Sequence, residues 1–356
     1  MREHVSSVRQ AARIPVREVL VKSVSVCEHA LHIRDPAHIP PPDVHVEDAG
    51  VHSGDATLIL PPKNINNITT ISIESFDNTL DLVKNDNSYI SESGYPLKKG
   101  IWENLVTSLS LLRIEEKKTN EPNRHADLNL LSPELNKSED ESGGYATKVT
   151  LKNKDGSIFS SILFGKTDPS VGGLSGGQFA RIDKNNQSYL LKGAIRMPTS
   201  KSDWFESLLF SIKDSDFKNA ILYKKDKVFE VTNLKDVLKL TFPKTINFEL
   251  DESKLSDVRN VITSFYFYDV KKSSNKYPNN LPTLSYETKD GMIISISSVD
   301  PKENGESWVI INVKSKNTKS EKLAQEIKDK TLGFEFLANI NTSNMLRWKI
   351  QDLAGE

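Results

Sequence analysis

Two stretches of this chain constrain its fold more than any other feature. KVTLKNKDGSIFSSILF, residues 148 to 164, and TLSYETKDGMIISISSV, residues 283 to 299, both read as strand, Lys-Asp-Gly turn, strand. An Asp-Gly pair between alternating apolar runs marks a hairpin, because the turn needs a positive φ that Gly and Asp tolerate. The two stretches lie 135 residues apart. A second echo aligns without a gap at 156 residues: NLVTSLSLLRIEEKK from Asn104 to Lys118, and NVITSFYFYDVKKSS from Asn260 to Ser274. A chain that says the same thing twice, in hairpins, is a chain of antiparallel sheets.

In each copy of the second echo a helical pattern comes first. Ile101, Leu105, Leu109 and Leu112 share one face, with Trp102 and Val106 beside them. Val258, Ile262 and Phe265 do the same in the second copy, behind Asp251 as a candidate cap. Short strands follow, over 112–115 and 268–271. Further strands are expected at 68–73, 78–84, 179–182, 189–192, 220–223, 228–232, 246–250 and 307–313. Helices are expected at 202–212, 320–330 and 343–353, the second opened by a capping box of Thr318 and Glu321. The fold class is therefore α+β: repeated antiparallel-sheet-plus-helix modules rich in β-hairpins. The modules divide as 56–130, 131–200, 201–275 (repeating the first) and 276–356. Trp102, Trp204, Trp308 and Trp348 sit in apolar patterns and read as core.

Residues 1–55 stand apart. The first 62 residues hold six of the seven histidines (His4, His29, His32, His38, His45 and His52), no Asn, Phe, Trp or Tyr, and one Lys, Lys22. Three readings of this segment stand side by side. It is a disordered tail, with at most a short helix or strand over 16–26. It is a metal-binding tail, with Glu47 and Asp48 beside its histidines, although the spacing fits no compact zinc pattern. Or it is not the natural beginning of the protein.

FGKTDPSVGGLSGGQFARI, residues 164 to 182, raises the question of ATP. GKT is the tail of a phosphate loop and LSGGQ reads like the signature of ABC-type ATPases. A phosphate loop is G-x-x-x-x-G-K-[ST] opening a helix, so that backbone N–H groups meet phosphate. Here the eight residues are SSILFGKT, Ser160 replaces the first Gly, and Asp168 and Pro169 follow Thr167. Only DPSVGG separates GKT from LSGGQ, too little for the fold that lies between them in such enzymes. Gly172, Gly173, Gly176 and Gly177 are read as a glycine-rich connection between strands. With Arg181 beyond it, this is the one candidate interaction loop. Arg181 is expected to pair with a neighbouring carboxylate or to meet an anionic partner.

The order "strand, D-G turn, strand ending in Phe-Gly-Lys, glycine-rich loop, aromatic-Ala-Arg strand, polar turn, Tyr-Leu-Leu strand, then a helix opening with Trp" resembles domain-of-unknown-function family 4340. The flanks ISIESFDNTLDLVKNDNSYISESGYPLKKGIWENLVTSLSLLRIEEKKT and GFEFLANINTSNMLRWKIQDL are similar to the family's opening and closing units, so the resemblance covers about 57–355. The resemblance implies an auxiliary component of ABC-type transport systems, including those linked to gliding motility. It implies one N-terminal membrane helix and a body outside the cytoplasm. In this chain no run approaches the roughly 18–20 apolar residues of a span. If Met1 is the true start, a soluble protein is expected instead.

Chemistry is sparse. His125, in NEPNRHADLNL, reads as a solvated loop residue. Cys27 is the one cysteine, and no HExxH, GxSxG or CxxC occurs. SEDES (138–142) reads as a solvated loop, and Asp155 and Asp290 as turn residues. A formal net charge of −1 gives no global attraction to nucleic acid. The expected function is non-catalytic: an envelope-associated auxiliary or scaffold protein with ABC-type transporter subunits as partners. An envelope glycan- or peptide-binding module is the alternative, and an enzyme the third. No cofactor or metal is expected.

Overall fold

The structure, a computed structural model, describes residues 62–355 apart from 77, 87, 136–142, 172–175, 275 and 302–303. The N-terminal readings, Cys27 and SEDES lie outside these residues.

The first half of the body builds one sheet. Its strands are β1 (Ile68–Glu74), β2 (Thr79–Asn85), β3 (Ser88–Ser91), β4 (Arg113–Lys117), β5 (Thr147–Asn153), β6 (Ile158–Asp168), β7 (Gly177–Ile182) and β8 (Ser188–Lys192). Helix α1 (Ile101–Leu111) precedes β4. The second half holds β9 (Leu208–Phe210), β10 (Phe217–Tyr223), β11 (Lys227–Leu234), β12 (Val237–Phe242), α2 (Glu252–Thr263), β13 (Phe265–Lys272), β14 (Thr283–Thr288), β15 (Met292–Ser298), β16 (Trp308–Ser315), α3 (Thr318–Thr331), β17 (Phe334–Ala338) and α4 (Ile340–Arg347). Every paired strand in both sheets is antiparallel. The modules drawn at 56–130 and 131–200 share the first sheet, and those at 201–275 and 276–356 share the second.

The sheets run β3-β2-β1-β5-β6-β7-β8-β4 and β12-β11-β10-β14-β15-β16-β17-β13-β9. Counted from β1 and from β10, the order is the same, with β9 added at one edge. The likeness reaches single residues. The β1–β5 register slips between Ile68 and Thr70, and the β10–β14 register slips between Phe217 and Asn219. Lys98 N–H donates to Trp204 O at 2.8 Å, and Asp251 N–H donates to Leu353 O at 3.0 Å. Both bonds tie the residues before a helix to a 3-10 turn late in the same half (Lys201–Trp204 and Ile350–Leu353).

The buried helix faces are Trp102, Leu105, Leu109 and Leu255, Val258, Ile262, 153 residues apart throughout. The ungapped alignment at 156 is three residues out. Three residues is close to one helical turn, so apolar positions still met apolar positions.

Three expected elements differ. Residues 202–212 form the end of a 3-10 turn and then β9, because Leu209 and Phe210 pack as a strand beside β13. The 343–353 helix starts earlier, at Ile340 behind an Asn339 cap, and ends at Arg347. Residues 246–250 make only an isolated bridge, Leu250 to Ala354. The cap of α3 is Asn317, whose side chain accepts from Lys319 N–H, in place of the Thr318–Glu321 box. Asp251 caps α2 as expected.

One core runs through both sheets and buries Trp102 and Trp204. Its joint is Tyr95. That ring, from the loop before α1, meets Phe334, Phe267, Phe336 and Phe205 edge-on at 5.0, 5.5, 5.7 and 5.7 Å. A smaller cluster lies on the opposite face of the first sheet: Leu163, Phe179 and Leu190 beneath Leu128, Leu130 and Ala146. These strand residues alternate with Ile162, Ala180 and Leu191 of the main core, as side chains in a strand must. Their cover comes from the described residues of the long connection between β4 and β5, within 118–135 and 143–146. Trp308 and Trp348, expected in the core, are only half-buried.

Candidate functional site

Of the glycine-rich connection the structure describes Val171, which packs on the covered face of the first sheet, and Gly176 and Gly177. Gly172 and Gly173 lie outside the described residues. Strand β6 runs through Gly165-Lys166-Thr167 to Asp168, and β7 begins at Gly177, opposite Asp168. Neither GKT nor GGQ opens a helix, so the cradle of free N–H groups that binds phosphate is not built from them.

Each glycine has a steric reason. Gly176 has φ +69°, a left-handed value. A Cβ on Gly177 would stand 2.7 Å from Val171 Cγ2 and 2.9 Å from Leu191 O. At Gly165 the clash is with backbone: a Cβ would lie 2.1 Å from Leu128 O. The cover segment therefore lies directly on the Gly of GKT.

Polar groups here are bonded within the sheet and to its cover. Gln178, the last letter of LSGGQ, is buried; its Nε2 donates to Gly165 O at 3.1 Å, and its Oε1 accepts from Ile195 N–H at 3.0 Å. Arg181 is buried too. Its Nε donates to Leu130 O at 2.9 Å and its Nη1 to Asn185 O at 3.2 Å. Burial draws its pKa down, against the pull of Asp183, and Arg181 bonds two carbonyls where a carboxylate partner was expected.

His125 is 3% exposed and its Nε2 donates to Asn186 O at 2.8 Å, so it is not the solvated residue its polar surroundings suggested. Its carbonyl also accepts from Leu128 and Leu130 N–H, which closes the cover segment on itself. Lys148, which no sequence pattern singled out, is buried beside Glu134 and lies 3.5 Å from Asp183. Burial opposes its charge, but these carboxylates outweigh that and raise its pKa. Gln178 was legible as part of a motif, yet nothing in the sequence indicated that both ends of its amide would be occupied.

At the rim, a cleft of about 530 Å³ is lined by Lys117, Thr119, Glu121, Arg124, Leu128 and Phe179. Lys118 pairs with Glu116, and Arg124 with Asp127 at 4.0 Å. Lys166 stands 5.8 Å from the centre of the Phe179 ring. The Asp168 carboxyl is held below the usual range by Ser170, whose Oγ and N–H both donate to it. The cleft is open and its lining carries both charges.

Among the described residues no group of three His, Cys, Asp or Glu converges on one point, and no helix is long and apolar enough to cross a membrane. Comparison with curated proteins and with solved structures returned no match. The family comparison did: the family described as "Domain of unknown function (DUF4340)" matches residues 88–283, more than half of the chain. From β3 through α2 to the first residue of β14, with the Gly-Lys strand and the glycine-rich connection between, this chain belongs to that family of domains of unknown function.

Proposed function

We propose that this protein is a non-catalytic scaffold at the cell envelope, an auxiliary component working with the subunits of an ABC-type transport system, and that its body is an internal repeat. The reading joins the family resemblance to one observation on the second sheet. There Trp308 pairs with Leu337 as Phe179 pairs with Leu190 on the first. The first pair is half-buried and the second lies under the 118–146 cover.

The corresponding connection in the second half is only 273–282. Tyr268 and Tyr266 continue the apolar band on β13, 45% and 47% exposed, and Leu208 opposite Tyr266 is 37% exposed. Lys271 Nζ lies 4.0 Å from the centre of the Trp308 ring at the inner end of this band, and an apolar band with charged neighbours is the mark of a protein-binding surface. A transporter subunit covering it would do between chains what 118–146 does within one. Membrane anchoring and a body outside the cytoplasm belong to the same reading.

A photo-crosslinking amino acid at Tyr268, in the native host, tests this. The expected product is a crosslink to an ABC-type transporter subunit in the membrane fraction, lost when Tyr266 and Leu208 become Ser. Crosslinks confined to unrelated soluble proteins, or none in cells where the transporter is assembled, would sink the reading.

A further inference from the structure

Helices α2 and α4 line the two sides of a groove of about 460 Å³. From α2 come Lys254, Asp257 and Asn260, spaced three apart and so on one face of the helix. Across from them stand Asn341, Asn344 and the half-buried indole of Trp348.

Three of the groove's carboxamides, those of Asn344, Asn260 and Asn339, are oriented before any ligand arrives. Asn344 Oδ1 accepts from Arg347 at 2.8 Å and Asn260 Oδ1 accepts from Arg259 at 3.3 Å, which leaves each Nδ2 as a donor. Asn339, at the groove's end, is fixed the same way by its capping bond from Thr342 N–H at 2.8 Å. The side chains of Asp257 and Asn341 have no hydrogen-bond partner among the described residues. Lys254 Nζ stands 5.9 Å from the centre of the Trp348 ring; its charge acts on the Asp251 carboxylate, with no ion pair within 4 Å among the described residues.

We infer that this groove binds a glycan, with one pyranose ring against Trp348 and its hydroxyls on the carboxamides and Asp257. The inventory fits that chemistry. The indole offers an apolar, electron-rich face to the C–H side of a sugar ring. The amides and the carboxylate supply both donors and acceptors to neighbouring hydroxyls. One amine against one carboxylate favours a neutral ligand. A peptide strand fits less well, because the walls are helices whose backbone groups are already bonded and give no ladder to extend. This site is separate from the apolar band on the second sheet, and the two stand or fall independently.

The test is a titration of the full chain, followed by 15N–1H spectra, with chitotriose, maltotriose and cellotriose in turn. The Trp348 indole N–H and the Asn341 and Asn344 side-chain amides should shift with at least one of them. Asp257→Ala and Asn341→Ala are at exposed positions and should weaken that affinity about tenfold while the melting temperature holds. Trp348→Ala should abolish it. No shift with any of the three at about 10 mM, well above a millimolar Kd, overturns the inference. So do shifts mapping elsewhere, unchanged affinity in both exposed variants, or a response to trialanine in place of the sugars.

Discussion

Single residues of the signature-like segment act as structural parts. Gly165 and Arg181 serve the contact between the first sheet and its cover, and Gln178 ties β7 to Gly165 of β6 and to Ile195 beyond β8. Gly165→Ala would push a methyl group into Leu128 O. We expect a loss of about 2 kcal/mol or more, with faster amide exchange across 125–130 before global unfolding. Arg181→Met keeps much of the apolar bulk but strips the donors from two carbonyls. About 2–3 kcal/mol should be lost in urea unfolding, in the range for hydrogen bonds made by charged groups. A small effect of both variants would mean that the cover is held by apolar contact alone. These roles were half legible. The motif letters drew attention to the right residues, but the chemistry they suggested belongs to a helix N-terminus, and here they lie in strands.

At the scale of elements, the start of α3 separates two sequence readings. Asn317→Ala removes the cap bond to Lys319 N–H and should cost about 1 kcal/mol, whereas Thr318→Ala should be nearly silent. The reverse order in thermal melts would restore the Thr318–Glu321 box. The β13–β17 pair carries a pH signature. Glu335 lies opposite Lys271 and is 4% exposed. Burial alone would raise its pKa, but Tyr277 OH at 2.7 Å, Ser274 N–H at 3.1 Å and Lys271 Nζ at 3.2 Å together bring it below the ordinary value. A carboxyl with a lowered folded pKa stabilises the fold above its unfolded value. That contribution is lost as pH falls through the folded value, below ~4.3. Glu335→Gln should flatten the acid limb of stability within that window, below ~4.3, and leave the slope between there and neutral pH unchanged. An unchanged limb in urea melts at stepped pH would count against it. The strand 246–250 failed as an expectation because apolar alternation there serves a crossing segment, with Leu250 bridging Ala354 rather than joining a sheet.

For the whole molecule, Tyr95 is the test of how the two sheets are joined. Its ring comes from the first half, and Phe267, Phe334 and Phe336 belong to the second sheet. Tyr95→Ala leaves a cavity at that joint and removes several edge-on aromatic contacts. A loss of about 3–5 kcal/mol is expected, with unfolding splitting into two transitions as the halves lose their coupling. A single transition at nearly unchanged midpoint would show that the rest of the shared core couples them without Tyr95. The uncovered band on the second sheet also belongs to this scale, since it exists only because one connection is long and its counterpart short.

The sequence by itself determined the antiparallel hairpins, the amphipathic faces of α1 and α2 and the doubled pattern, because each depends on residues close together in the chain. Asp-Gly turns and 3.6-residue periodicity act locally and survive any tertiary arrangement. Only the tertiary structure decided which strands neighbour one another, that the halves correspond at 153 residues through the helices, and that His125, Gln178 and Arg181 would be enclosed. It also left Trp348 and Trp308 half-buried, Trp348 packed against the edge of the main core, where apolar patterning had put them fully inside. Burial is set by what the rest of the chain lays over a residue, and for these that is a segment dozens of residues away, or none at all.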